Sequence, residues 1–133
     1  RAYLAARQAK ETERRERQRA AALAAARAAA QAVLPRFPAV RRAYCFGSAV
    51  RPGGMRATSD VDIALETSPP GSAEARPPAM LKAETYFAVW RALERAMGPW
   101  ELDVIDLGPD VHFAARVRAQ GELIYERAGR ADL

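Results

Sequence analysis

Asp60 and Asp62 stand two residues apart in the stretch Ser59-Asp60-Val61-Asp62-Ile63. On a strand, side chains at i and i+2 leave on one side, so both carboxylates would share a surface while Val61 and Ile63 face a core. Like charges held that close raise each other's pKa unless a cation lies between them, which makes the pair a ready site for a divalent metal. A solvated strand edge has the same pattern. Gly47-Ser48 follows directly on the apolar run Ala43-Tyr44-Cys45-Phe46. Glycine there lets the backbone approach a ligand, and the next amide and the Ser48 hydroxyl can donate to phosphate oxygens. A plain turn has that composition too. In Glu101-Leu102-Asp103-Val104-Ile105-Asp106-Leu107, a carboxylate among apolar residues calls for a partner such as a metal. Asp103 and Asp106 compete for that role.

Composition narrows the choice of metal and of setting. One cysteine (Cys45) and one histidine (His112) exclude an internal disulfide and the usual Cys/His zinc sites, so oxygen ligands and magnesium are expected. The 133 residues amount to one domain, and an apolar fraction of 50% that includes 31 alanines allows one modest core. No run approaches the roughly 18 to 20 apolar residues of a membrane span. The net charge of +5 belongs to residues 1–34, where eight Lys or Arg face three Glu; residues 35–133 hold thirteen of each sign. A basic arm on a neutral domain is weak evidence for nucleic-acid binding, and direct binding is not expected. The arm is rich in Ala and Arg like a transit peptide. Glu11, Glu13 and Glu16 interrupt it and no serine precedes Ser48, so a cytoplasmic protein is expected.

The elements that must position these residues follow from pattern. Ala2 to Leu34 lacks Gly and Pro and carries Glu11/Arg15 and Glu13/Arg17 at i, i+4, which predicts one long helix ended by Pro35 and Pro38. Its back half has an apolar stripe (Leu23, Ala26, Ala30, Val33, Leu34, Phe37) and is expected to pack on a domain spanning 35–133. The front half is expected to project and to contact another subunit or a partner rather than the chain's own site. Strands are predicted at 42–46, 61–65, 102–107 and 122–127, with helices at 81–97 and from Pro109-Asp110 to Gln120. Leu81, Phe87, Trp90, Leu93 and Met97 are the expected core positions of the 81–97 helix. Residues 67–79, with five prolines and glycines, read as a mobile surface loop.

The order FGS (46–48), Arg51, Ser59-Asp60-Val61-Asp62-Ile63 and LDVIDL (102–107) resembles the minimal nucleotidyltransferases of the DNA polymerase beta-like nucleotidyltransferase superfamily, often encoded beside HEPN-domain proteins. The resemblance covers residues 22–127. It implies an α+β fold with α/β-type layers, a small mixed sheet flanked by helices and preceded by the long helix. It further implies that Gly47, Ser48, Arg51 and Ser59 bind the nucleotide triphosphate. Asp60, Asp62 and Asp103 would be the catalytic acids holding two magnesium ions, with Asp103 rather than Asp106 matching the family's third acid. Where the family commonly continues GSxxRG, this chain reads Gly47-Ser48-Ala49-Val50-Arg51-Pro52-Gly53, with proline in place of glycine.

By the same resemblance, the expected activity is transfer of AMP from ATP to a tyrosine of a HEPN ribonuclease toxin, with the chain as antitoxin. With no second domain expected after the site, acceptor choice is expected to lie with another polypeptide or another subunit. One alternative is a small-molecule adenylyltransferase of the aminoglycoside-modifying type. The other is a non-catalytic antitoxin that neutralises its partner by binding alone. The intact acids weigh against the second.

Overall fold

A computed structural model describes residues 2–56, 59–67 and 80–128 of the chain. The stretch without Gly or Pro forms one helix, α1 (Ala2–Val33), and a 3-10 turn at Leu34–Arg36 ends it where Pro35 has no N–H to offer. The carbonyls left over at this end find a cation. The Arg127 guanidinium donates to Leu34 O, Pro35 O, Phe37 O and Val40 O at 3.0 to 3.4 Å, joining the end of the helix to the end of the last strand.

Four strands, β1 (Arg42–Phe46), β2 (Val61–Glu66), β3 (Leu102–Asp106) and β4 (Glu122–Glu126), make one mixed sheet in the order β3-β2-β1-β4. β1 runs antiparallel to β2 and to β4, and β2 runs parallel to β3. A parallel pair needs a long crossover, which here contains helix α2 (Ala83–Met97); helix α3 (Val111–Gln120) links β3 to β4. Period-2 alternation sorts the side chains. Ala43, Cys45, Val61, Ile63, Leu65, Leu102 and Val104 form one buried face with α1 and α2. Tyr44, Ala64 and Leu107 meet Ala114 and Val117 of α3 on the other, beside an edge-to-face pair of Phe46 and Phe113. The layered mixed sheet with a long first helix is the expected fold.

Expected and observed elements agree to within two residues, and three local readings are corrected. Phe87 is 53% exposed and Val89 takes its place, because the buried stripe of α2 runs through Val89, Leu93 and Met97 and position 87 lies off that face. Leu81 precedes α2 instead of belonging to it. Residues 16–19 of α1, expected to avoid the site, bond to the 49–56 segment beside it through Glu16, Gln18 and Arg19. The expected loop, from Ser68 to Ala79, lies outside the described residues.

The packed face of α1 is built of Ala22, Ala26, Ala29, Ala30 and Val33, whose small side chains let the helix lie close to its neighbours. A larger residue there has nowhere to go. Ala26→Leu is expected to lower stability by about 1–3 kcal/mol in urea unfolding. Ala28→Leu, on the exposed face, is expected to stay within about 0.5 kcal/mol of the parent.

Candidate functional site

The carboxylates gather where β1 ends and β2 and β3 begin. Parallel register places Asp62 opposite Asp103, and the antiparallel register places Phe46 opposite Asp62. The neighbours of both acids, Val61, Ile63, Leu102 and Val104, point into the core, so Asp62 and Asp103 leave the sheet together on the other face. Asp60, exposed just before β2, adds its charge to the same end. Burial first, then the negative charges of Asp103 and Asp60, push the Asp62 carboxyl up to about 6, and Arg51 opposes the rise.

Gly47 begins a 3-10 turn, Gly47–Val50, with φ of +76°, a conformation that glycine adopts without a steric penalty. A β-carbon built on Gly47 would overlap Asp62 Oδ2, so the glycine is what lets this backbone pass under the carboxylate. Among the described residues the Ser48 hydroxyl bonds to Met55 Sδ at 3.8 Å, a weak acceptor that a phosphate oxygen would readily replace. Arg51 is exposed, and its extended backbone (φ −102°, ψ 126°) is the one a residue before proline takes, so Pro52 is accommodated without displacing Arg51 from the site. Ser59 bonds to Arg56. Its Oγ accepts from Arg56 N at 2.9 Å and its N–H donates to Arg56 O at 3.0 Å, which closes the loop before Asp60.

Asp106 stands apart from this group. Its two oxygens accept from Leu81 N at 2.7 Å and Gly108 N at 3.0 Å, so it fixes the chain where α2 is about to begin. Beside it, the Tyr86 hydroxyl donates to Val104 O at 2.5 Å at the outer edge of β3. A groove of about 560 Å³ runs along this edge, lined by Met80, Leu81, Tyr86, Asp103, Ile105 and Asp106. The structural part of Asp106 was not legible in the sequence, where the residues left it competing with Asp103 and only the family resemblance favoured Asp103. Nor were the contacts of Glu16, Gln18 and Arg19, since the run Arg14-Arg15-Glu16-Arg17 reads as a solvated helix face.

A family model described as polymerase beta, nucleotidyltransferase matches residues 29–130. The chain belongs to this nucleotidyltransferase family. No curated protein matches it. Two solved structures are similar. One is the crystal structure of a toxin-antitoxin with AMP-PNP, 20% identical, with a TM-score of 0.57 over 80% of this chain and 76% of that one. The other is a putative nucleotidyltransferase from Sulfolobus solfataricus, 24% identical, with a TM-score of 0.49 over 82% of this chain and 84% of that one. At these identities the likeness concerns the fold.

Among the described residues, no three acidic, His or Cys side chains come close enough to form a closed metal cage, and no helix is long and apolar enough to cross a membrane. The donor set of this nucleotidyltransferase domain nevertheless fits magnesium, which binds through one or two carboxylates and fills its other positions with water and substrate phosphate. Paired hard oxygens, one of them with its pKa raised first by burial and then by its acidic neighbours, are the chemistry such an ion relieves.

The raised pKa has a consequence for stability. A raised folded-state pKa at Asp62 contributes stability below pH 4 that is lost as pH rises through about 6. Without divalent cations, the denaturation midpoint should therefore fall between pH 4 and pH 7. Asp62→Asn should flatten that slope and raise the midpoint at pH 7.5; an unchanged slope in the variant would show that Asp62 carries no such strain.

Proposed function

We propose that this nucleotidyltransferase transfers AMP from ATP to a tyrosine hydroxyl of a partner HEPN ribonuclease toxin, with magnesium, and thereby acts as its antitoxin. The observation that supports the reading is the pairing of Asp62 with Asp103 beside the Gly47-Ser48 turn. A toxin-antitoxin of similar fold that was crystallised with AMP-PNP lends the toxin partner and the adenine nucleotide their support.

In this reading the Gly47-Ser48 turn receives phosphate oxygens through its amide and hydroxyl, Arg51 supplies positive charge, and Ser59 shapes the loop into Asp60. Asp60, Asp62 and Asp103 would hold two magnesium ions. When bound, magnesium lowers the pKa of the attacking hydroxyl and offsets charge on the pyrophosphate that leaves. Asp103 faces both Asp62 and the groove along β3, a position from which it takes the acceptor's proton. The acceptor oxygen bonds to the α-phosphorus as the α–β phosphoanhydride bond breaks.

The same groove favours a phenol over a polycationic sugar. Met80, Leu81, Tyr86 and Ile105 give it apolar and aromatic walls, and the Asp106 carboxylate is already bonded to two backbone amides. An aminoglycoside would need free carboxylates there. A purely occluding antitoxin would need none of the three acids.

Asp103→Asn is expected to reduce AMP transfer to the toxin at least about a hundredfold while ATP affinity changes little. Asp106→Asn should retain transfer and lose about 1–2 kcal/mol of stability, because one of its two bonded oxygens becomes a donor. Intact mass of the toxin and urea unfolding of the variants measure the two effects. Loss of transfer in Asp106→Asn with transfer kept in Asp103→Asn would contradict the assignment.

A further inference from the structure

We infer that the middle of α1 is a clamp on the phosphate-binding loop, with Glu16, Gln18 and Arg19 as positioning residues for nucleotide binding. This rests on the reading of Gly47, Ser48 and Arg51 as nucleotide-binding residues. Ala49 and Met55 anchor this loop in the core, and the stretch between them has few bonds of its own. Outside the 3-10 turn, its backbone bonds among the described residues are Arg51 N to Ser48 O, long at 3.4 Å, and Gly54 N to Arg51 O at 2.9 Å. Gly53 sits at φ +72° with open space where a β-carbon would be, so no packing restrains it.

Three side chains from a single turn of α1 supply what the loop lacks. Glu16 Oε1 accepts from Gly53 N at 2.8 Å, an Arg19 guanidinium nitrogen donates to Ala49 O at 3.3 Å, and Gln18 Nε2 donates to Arg56 O at 3.2 Å. They reach the loop near its start, at its crest and towards its end. All three bond to main-chain atoms, so they set the loop's path rather than any one side chain. Glu16 and Arg19 also brace each other through a 2.9 Å ion pair, and together Arg19 and the Gly53 amide hold the Glu16 carboxyl below its usual range. A single exposed contact of this kind is worth little. Three contacts distributed along eight residues restrict the loop before a ligand arrives, and a loop ordered in advance pays less conformational entropy on binding.

None of the three residues falls within the 29–130 segment that the family model matches. The clamp gives the front of α1 a mechanical connection to the site, since whatever moves residues 16–19 moves the backbone on either side of Arg51.

The test is calorimetry of the full chain with ATP and magnesium, comparing the parent with Glu16→Ala/Arg19→Ala. The double variant is expected to bind ATP about tenfold more weakly with a nearly unchanged melting midpoint, because both positions are only half-buried and alanine is a good helix former there. Hydrogen exchange at the Gly53 amide should accelerate while the sheet amides keep their protection. Arg19→Lys, which keeps the charge and a donor, should restore affinity to within about threefold of the parent. A double variant that binds ATP within about twofold of the parent overturns the clamp alone. A parent chain that binds no ATP overturns the functional reading and the clamp with it. Should the double variant not melt cooperatively, Gln18→Ala takes its place, with a loss of about threefold expected and no loss counting against the clamp.

Discussion

Two carboxylates side by side at the end of a sheet repel one another, and the arrangement around Asp62 and Asp103 is organised by that repulsion. The parallel pairing of β2 with β3 forces it, because register sets Asp62 against Asp103 and burial of their neighbours sends both side chains to one face. A structure selected for stability alone would separate these charges. Here the surroundings keep them together: the apolar positions on either side lock the strands' faces, Gly47 clears room beneath Asp62, and Arg51 eases the charge. Strain of this kind, kept in place by a well-packed scaffold, is the state that a bound cation would relieve.

The fold's division of labour follows from the same end of the sheet. α1 and α2 cover the face that carries the apolar positions, and α3 covers the far part of the other face, over Tyr44, Ala64 and Leu107. What α3 leaves uncovered is the part with the acids. Asp106, one residue beyond the parity of Asp103, works for the scaffold by ordering the chain ahead of α2. Two acids three positions apart on one strand thus have different duties because they face opposite ways.

Much of this was legible in the residues themselves. The long helix, the four strands and α3 follow from apolar period, proline and glycine, and the order FGS, DVD, LDVIDL carries the family. Asp62 and Asp103 meeting on one face follows from alternation once both segments are strands. What was not legible depends on pairs distant in sequence. Nothing in Arg14-Arg15-Glu16-Arg17 distinguishes a solvated turn from one that holds Gly53, 37 positions away. Nothing in Glu126-Arg127-Ala128 reveals that Arg127 closes the end of the first helix, 93 positions earlier at Leu34. Phe87 and Val89 exchanged places because hydrophobicity ranks the phenylalanine first, while the rotation of α2 on the sheet decides which of the two is buried.

The central claim, that the Asp62 environment is built around a divalent cation, is tested most directly by the NMR titration of the Asp62 carboxyl carbon with and without magnesium. The account predicts a midpoint of about 6 in the metal-free protein, falling well below the ordinary carboxylate value at saturating magnesium. A midpoint that magnesium leaves unmoved, or an ordinary one in both conditions, would contradict it.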